Sequence, residues 1–208
     1  MPADRSANFA DAAPPAIPGE WGGERILLRP WRTDDDRALW EAVDSSRERL
    51  RVWMPWVDGY RSIEDARAFI GRSESDWTTR ANLFTAIVER ATGAILGGTG
   101  FNEPDWAIRS FEIGYWLRDG AEGHGHVTEA VRLLTWIAFD RLGANRLEIR
   151  CDPANARSRA VPERLGFTLE GRLRNNMADR HGGPRDTLVF SLVPGDPGSG
   201  KLGTKDLL

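Results

Sequence analysis

Lysine is almost absent from this sequence. Only Lys201 and Lys205 occur among its 208 residues, and both lie close to the carboxyl terminus. Enzymes that form a Schiff base with a carbonyl group, and kinases that contact a nucleotide γ-phosphate, need a lysine inside the folded domain. The sequence therefore disfavours pyridoxal enzymes and kinases.

Cysteine and long apolar runs are also lacking. The single cysteine, Cys151, excludes an internal disulfide and suits a reducing compartment. No apolar run approaches the ~20 residues of a membrane-spanning helix, and the first residues do not combine a basic region with an apolar one. We therefore expect a cytoplasmic protein with no membrane partner. In it, Cys151 should be a small core residue on a strand and not an acylated nucleophile.

Neither charge nor histidine spacing points to a nucleic acid or a metal. The chain has 28 basic and 31 acidic residues and a formal net charge of −3, so it lacks the basic excess with which proteins attract nucleic acids. Its three histidines and one cysteine do not show metal-ligand spacing. We expect no metal, no nucleic-acid partner, and exposed loop positions for His124 and His126.

What the sequence does contain is a strand, a glycine-rich loop and a helix in succession. Residues 110–118 have the alternation of a strand, and residues 127–142 place apolar side chains on one face of a helix that Gly143 is suited to end. Glycines occupy positions 120, 123 and 125 between them. Such a loop lets the backbone approach an anion, and the first N–H groups of the helix have no internal partner. A phosphate-binding loop is one interpretation, and a flexible turn is the other.

The order of the glycines separates this loop from dinucleotide folds. Gly120-Ala-Glu-Gly123-His-Gly125 is the reverse of G-x-G-x-x-G. Together with the following Val-Thr-Glu-Ala, it resembles motif A of the GNAT superfamily of acyl-CoA N-acyltransferases, in its RimJ/RimL-like branch. Two positions depart from the motif: Gly120 stands where glutamine or arginine is usual, and Glu122 stands where arginine is usual. We expect Glu122 to place an unfavourable charge close to the pyrophosphate.

Three further segments resemble the same branch. They are Arg47-x-x-Leu50-x-x-Trp53-x-Pro55-Trp56 (its acceptor-side helix), Ile113-Gly-Tyr-Trp-Leu117 (its fourth strand), and Asn155-x-x-Ser158 with Leu165-Gly166-Phe167 (its motif B). The resemblance covers roughly residues 24–193. It implies an α/β (α+β) GNAT fold, with a mixed, mostly antiparallel sheet of about seven strands. The sheet should be splayed between its fourth and fifth strands and covered by helices on both faces.

The domain is expected to span residues 21–194, between a disordered leader (1–20) and a flexible tail (195–208). The tail contains Gly195-Asp-Pro-Gly-Ser-Gly-Lys201-Leu202, which is close to the phosphate loop of nucleotide hydrolases. Leucine at its last position lacks the hydroxyl that binds magnesium, so we interpret the segment as part of the tail.

Local signals predict how several elements begin and end. Thr33 should cap a helix, and Pro55 should end or kink another. Gly93 should lie in the turn of a hairpin, and Asn155 should cap a short helix.

The resemblance implies where the donor and the acceptor bind. The pantetheine arm should lie along the fourth strand, where a main-chain N–H supports the oxyanion, and the pyrophosphate should meet the glycine loop. The acceptor groove should be walled by Trp53, Met54 and Trp56. The residues expected to bind the cofactor are Tyr115, Trp116, Leu117, Gly123, His124, Gly125, His126, Val127, Asn155 and Ser158.

Two side chains are candidates for catalysis. Many relatives protonate the leaving thiolate with a tyrosine at the position that Pro162 holds here, so Ser158 is the expected acid. A thiol with a pKa of ~8.5 is only ~2 kcal/mol from its preferred form at pH 7, so a weak acid suffices. Glu112 is the candidate general base; an acid that faces solvent or pairs with an arginine is the alternative. Pro162 also lacks the N–H that would bond the carbonyl of residue 158, so that turn should be kinked or open.

These expectations combine into one function and one alternative. The function is an acetyl-CoA-dependent N-acetyltransferase that transfers the acetyl group to a primary amine by direct attack in a ternary complex. The amine would be a protein N-terminal α-amine or that of a small molecule. The alternative, which Glu122 and Pro162 favour, is an acyl-CoA-binding sensor or interaction module with little turnover. The resemblance leaves a homodimer open.

Overall fold

The computed structural model describes residue 17 and residues 19–199. The predicted leader at 1–20 and tail at 195–208 therefore fall largely outside the described residues. No helix in the described part of the chain is long and apolar enough to span a bilayer.

Eight strands and five α-helices form the described fold. The strands are β1 (Trp21–Gly22), β2 (Ile26–Pro30), β3 (Leu83–Glu89), β4 (Ile95–Asp105), β5 (Ser110–Leu117), β6 (Arg146–Cys151), β7 (Thr168–Ala178) and β8 (Pro184–Leu192). The helices are α1 (Asp36–Ser45), α2 (Arg47–Leu50), α3 (Ile63–Thr79), α4 (His126–Trp136) and α5 (Ala156–Leu165). Two 3-10 turns (Thr33–Asp35 and Pro55–Gly59) and a π-helical turn that extends α4 (Ile137–Arg141) complete them.

The strands make one sheet in the order β1-β2-β3-β4-β5-β6-β8-β7. All neighbours are antiparallel except β5 and β6, which are parallel. The mixed, mostly antiparallel sheet is therefore confirmed. It has one strand more than the predicted seven, because Trp21–Gly22 pairs with Leu27 and Leu28 at the edge. This extra strand makes β5 and β6 the fourth and fifth strands of the predicted count.

The splay is visible in the register of β5 and β6. Only three residue pairs join them, from Ser110↔Arg146 to Glu112↔Glu148. Beyond this point β5 continues to Leu117 beside β4, and β6 continues to Cys151 beside β8. A gap therefore opens between the carboxyl-terminal halves of the two parallel strands.

Helices cover the two faces of the sheet, as predicted, and make two apolar clusters. The first apolar cluster packs α4 and α5 on one face and includes Ile87, Phe101, Phe111, Ile113, Leu134, Ile149 and Val161. The second apolar cluster packs α1 and α3 on the other face and includes Leu39, Val43, Ile70, Ala86 and Val88. Alternate residues of β3 point into different clusters, which is why this strand is almost continuously apolar.

Most of the local signals are confirmed, and one is wrong. A break precedes Pro55, which opens a 3-10 turn, and Gly93 lies in the hairpin turn with a φ of 74°. Thr33 does not cap α1. Asp35 occupies that position, and its carboxylate accepts from the Arg32 backbone N at 2.8 Å.

Candidate active site

The loop between β5 and α4 has the geometry of an anion site. Gly123 and Gly125 have φ angles of 83° and 80°, which residues with a side chain rarely adopt. The Glu129 backbone N is the first to bond back along α4, to Gly125 O at 3.0 Å. The amides of residues 126–128 therefore lack a helical acceptor and lie at the positive end of the helix dipole. This arrangement suits a diphosphate.

A buried carboxylate fixes this helix to the start of the sheet. Glu129, which is 7% exposed, accepts from the Arg25 backbone N at 2.9 Å and from Arg25 Nε at 3.0 Å. Arg25 Nη1 donates to His124 O in the loop at 2.9 Å. The Arg25 guanidinium therefore joins the loop to α4, and Glu129 balances its charge. The sequence reasoning missed this pair, because 104 residues separate its members.

The two loop histidines differ, and the expectation for one of them is wrong. His124 is exposed, as expected, but His126 is 7% exposed and forms the first residue of α4. His126 Nδ1 lies 3.1 Å from Ala121 O, and it must donate because a carbonyl only accepts. This bond joins the buried ring to the loop at Ala121.

The expectation for Glu122 also needs correction. Its carboxylate lies 2.8 Å from Arg49 Nε and 3.7 Å from Arg157 Nη1. Arg49 comes from α2; it also pairs with Asp119 and donates to Leu117 O at 2.7 Å. The charge of Glu122 is therefore partly offset by Arg49, which also pairs with Asp119. Arg49 was a further residue that the sequence reasoning missed.

The main chain of β5 offers hydrogen bonds to the gap. Arg118 N donates to a carbonyl of β4 at 2.7 Å, so by alternation the main-chain groups of Tyr115 and Leu117 point away from β4. The ladder between β5 and β6 has already ended there. The Tyr115 N–H therefore faces the gap, where an extended ligand or a carbonyl oxygen can accept from it. Trp116, in contrast, turns its main chain toward β4.

Asn155, Ser158 and Tyr115 come together where α5 begins. Asn155 Oδ1 accepts from Ser158 N at 3.1 Å, which confirms the predicted cap. Tyr115 Oη lies 2.9 Å from Ser158 O and 3.2 Å from Ser158 Oγ. Helix α5 continues through Pro162 to Leu165, so the predicted opening of this turn does not interrupt the helix.

Glu112 lies on the opposite face of the sheet from this group. Its neighbours Phe111 and Ile113 point into the first apolar cluster, so the carboxylate points to the other side. Its two oxygens lie 3.4 Å from Asn102 Nδ2 and 3.4 Å from Arg150 Nε. Burial raises the pKa of the Glu112 carboxyl, and the Asn102 hydrogen bond and the Arg150 charge only partly oppose this effect. The contact with Arg150 is the arginine pair named above as the alternative for Glu112. The raised pKa, at the start of the gap, gives the same carboxylate the chemistry of a general base.

Cys151 is a buried core residue, as predicted. It belongs to the first apolar cluster, and burial raises the pKa of its thiol to about 11. A thiol that stays protonated near neutral pH is a poor nucleophile.

The three residues expected in the acceptor groove have different surroundings. Trp56, 40% exposed, packs edge-on against Trp116, with 5.8 Å between ring centroids. The Arg185 guanidinium lies 5.2 Å from the centroid of the Trp53 ring. Met54 packs against the second apolar cluster. Trp53 therefore lies beside a cation, and Trp56 lies beside a second aromatic ring.

Trp53 lines an open groove of about 600 Å³. Its neighbour Val52 also lines the groove, and the rest of the lining comes from the loop after β6 and from the β7–β8 hairpin. Two acids there are neutralised by arginines: Asp152 lies 2.6 Å from Arg185, and Asp186 pairs with Arg172. The groove is lined by three acids and three arginines, so neither charge is in excess.

The gap and the loop together fit one kind of ligand. The gap between β5 and β6 can hold an extended chain along the exposed edge of β5, and the adjoining loop can hold a diphosphate; coenzyme A has both parts. Within the described residues, no group of three or more His, Cys, Asp or Glu side chains is placed to hold a metal ion. The fold and this site define an acyltransferase that uses an acyl-coenzyme A.

Comparison with known proteins gives the family. Residues 25–168 match the acetyltransferase (GNAT) domain model. The chain is 31% identical over 172 residues to the putative ribosomal N-acetyltransferase YdaF of Bacillus subtilis (strain 168), covering 82% of this chain and 92% of that protein. This chain belongs to the GNAT superfamily and to its RimJ/RimL-like branch, and it is an acetyltransferase that uses acetyl-CoA as the donor.

Two solved structures show the same fold. The microcin C7 self-immunity acetyltransferase MccE, in complex with acetyl-CoA and AMP, has a TM-score of 0.78 and 29% identity, over 82% of this chain and 93% of that chain. The ribosomal L7/L12 α-N-protein acetyltransferase RimL, in complex with coenzyme A, has a TM-score of 0.78 and 22% identity, over 85% of this chain and 97% of that chain.

Proposed function

We propose that this acetyltransferase transfers the acetyl group directly from acetyl-CoA to a primary amine, within a ternary complex. The observation that carries the proposal is the gap between β5 and β6, because candidate groups for the two halves of the reaction flank it on opposite faces. Glu112 lies on one face, and Tyr115 with Ser158 lies on the other. An amine can approach from the first side while the thiol leaves toward the second.

The donor side is built mainly from main-chain groups. The loop from Gly123 to Val127 binds the pyrophosphate, and Asn155 bonds the pantetheine arm with the amide nitrogen that its capping role leaves free. The Tyr115 N–H supports the oxyanion, a role that contributes ~3 kcal/mol in other enzymes. Ser158 donates a hydrogen bond to the leaving sulfur.

The acceptor is an amine of low pKa. An α-amine (pKa ~8) is about one unit from its neutral form at pH 7, whereas a lysine side chain (~10.4) is more than three units away. A glutamate base therefore suits a peptide N-terminus or a small-molecule amine better than it suits lysine. Trp53 and Trp56 would contact that acceptor. The relative YdaF is named as a putative ribosomal N-acetyltransferase, which supports a protein N-terminus. The single cysteine supports a cytoplasmic location.

The alternative, a binding module without turnover, loses part of its basis. It depended on Glu122 and Pro162, and Glu122 is paired with Arg49 at 2.8 Å. Pro162 means that no tyrosine acid stands at this position, but the Ser158 hydroxyl can still donate a hydrogen bond to the leaving sulfur. A thiol with a pKa of ~8.5 needs little more than that at pH 7.

The test is a mass-shift assay with acetyl-CoA and a panel of acceptors. The panel should contain peptides with free α-amines, the same peptides with blocked α-amines and a free lysine, small aromatic amines, and an amine that carries a nucleotide. The last is included because the MccE structure contains AMP. We expect acetylation of a free α-amine or a small amine, together with thiol release. Binding of coenzyme A with no product on any acceptor would favour the module.

A further inference from the structure

Pro162 creates a defect inside α5. It is the seventh residue of the helix, is buried, and has no N–H with which to bond Ser158 O, four residues earlier. The proline ring also crowds that carbonyl, and both effects disfavour proline inside a helix. The helix nevertheless continues to Leu165. Another donor must therefore satisfy the carbonyl.

Tyr115 supplies that donor from the neighbouring strand. Its Oη lies 2.9 Å from Ser158 O, and because a carbonyl only accepts, the phenol proton lies in this bond. Tyr115 Oη also lies 3.2 Å from Ser158 Oγ. With the phenol proton already used, this second contact is a hydrogen bond only when Ser158 donates to Tyr115. One phenol thus holds both the carbonyl and the hydroxyl of the same residue.

The Tyr115 phenol is a hydrogen-bond donor and not a source of protons. Burial raises its pKa well above the ordinary value of a tyrosine, and the Ser158 hydrogen bond opposes this only in part. A leaving thiolate, with a pKa of ~8.5, is the weaker base and cannot take this proton efficiently.

We propose that Tyr115 is a positioning residue that replaces the helix hydrogen bond deleted by Pro162 and thereby holds the Ser158 hydroxyl at the gap between β5 and β6. The proposal rests on the role of Ser158 proposed above. Before the sulfur arrives, the Ser158 hydroxyl donates to Tyr115 Oη; when the thiolate forms, the same hydroxyl turns to donate to it. Throughout, Tyr115 keeps its own proton and donates it in the hydrogen bond to Ser158 O.

A stability cycle tests the contact without any activity. Tyr115→Phe should lower the urea midpoint of the full-length protein, because Ser158 O loses its donor. Pro162→Ala restores an N–H at residue 162, so in that background the same tyrosine substitution should lower the midpoint by about half as much or less. Equal losses in the two backgrounds would overturn the proposal.

Thr135→Val is the matched control for this cycle. Thr135 Oγ1 donates to Val131 O at 2.8 Å within α4, so it too is a hydroxyl bonded to a helix carbonyl. Residue 135 is not a proline, so its own N–H is still available to bond Val131 O within the helix. The control should therefore shift the midpoint equally with and without Pro162→Ala.

A kinetic cycle tests the positioning role, with the amine that the acceptor panel identifies. Ser158→Ala and Tyr115→Phe should each lower kcat by about tenfold, the value of one hydrogen bond, and the double variant should lose no more than either single variant. The KM for acetyl-CoA should change by less than about twofold, because the main chain that binds it is intact. Losses that multiply in the double variant, or an unchanged kcat in Tyr115→Phe, would overturn positioning while leaving the acetyltransferase function in place. Absence of turnover on every amine would instead refute the proposed function, and the stability cycle would still decide the Tyr115 contact.

Discussion

The Glu122 carboxylate lies 2.8 Å from Arg49 Nε and connects the glycine loop to α2. The same guanidinium donates to Leu117 O at the end of β5. One arginine from the proposed acceptor side therefore fixes both the loop and the strand that the proposal assigns to coenzyme A. This contact gives the first prediction.

Arg49→Ala should weaken the binding of coenzyme A several-fold, because Glu122 then repels the pyrophosphate. Adding Glu122→Gln should recover part of the loss, since it removes the repulsion but not the missing bond to Leu117 O. Calorimetry with coenzyme A measures both effects. Equal affinities of the single and double variants would mean that the charge of Glu122 does not reach the ligand.

Glu112→Gln should lower kcat by about 10²-fold or more, the usual effect of removing a general base. The wild-type rate should fall as the pH drops through the raised pKa of Glu112. The acidic limb of the pH–rate profile should therefore lie above the ordinary glutamate pKa of about 4.3. The variant should lack that limb. Glu163→Gln, which changes an exposed acid paired with Arg159, is the matched control and should keep both rate and limb.

The same substitution should have the opposite effect on stability. Because the pKa of Glu112 is raised on folding, its protonated form favours the native state, and this contribution is lost as the pH rises through the folded pKa. At neutral pH the carboxylate therefore opposes folding. Glu112→Gln should raise the urea midpoint at pH 7 and leave it nearly unchanged at pH 3; a lower midpoint at pH 7 would show that the Arg150 pair outweighs burial.

Trp56→Ala should raise the KM for the amine about three- to tenfold, the usual range for an aromatic contact, and should leave the KM for acetyl-CoA unchanged. Trp56 is 40% exposed, so its removal should disturb the fold little. Ile108→Ala is the control: it deletes another exposed apolar side chain, 59% exposed, before the opposite end of β5. Steady-state kinetics with each substrate varied in turn distinguishes the two KM values.

Gly123→Ala should destabilise the fold by about 1–2 kcal/mol and weaken coenzyme A binding, because Gly123 has a φ of 83°. A Cβ at this position would have nothing within 4 Å, so the penalty comes from the backbone alone. Gly71→Ala provides the contrast: it also has open space, but it lies inside α3, where alanine should stabilise by about 0.5–1 kcal/mol. Urea unfolding of both variants should give shifts of opposite sign.

Much of the fold follows from local patterns in the sequence. Three local predictions are confirmed: the alternation in β5, the helical spacing of α4, and Gly143 after the π-helical extension of α4. Each of these patterns reflects interactions between residues close in sequence. The short strand Trp21–Gly22 could not be predicted in this way, because two residues show no period and are defined only by pairing with β2.

The contacts around the proposed site were harder to predict, since they join distant parts of the chain. Pro162 indicated that Ser158 O would lack a partner, but only the packing of α5 against β5 shows that Tyr115 provides one. The burial of His126 likewise depends on a bond to Ala121 O. Residue types and spacing located the candidate groups, whereas their partners depend on tertiary packing.

The ion pair between Arg25 and Glu129 has a consequence for truncating this domain. The match to the family model starts at Arg25 and ends at residue 168. Arg25 itself bonds Glu129 on α4, and β8, which lies between β6 and β7 in the sheet, comes wholly after residue 168. A fragment cut to residues 25–168 would begin at Arg25, without the residues that precede it. It would also lack β8, so one edge of β6 would have no partner strand. We therefore expect the unit that folds on its own to extend beyond residues 25–168 at both ends.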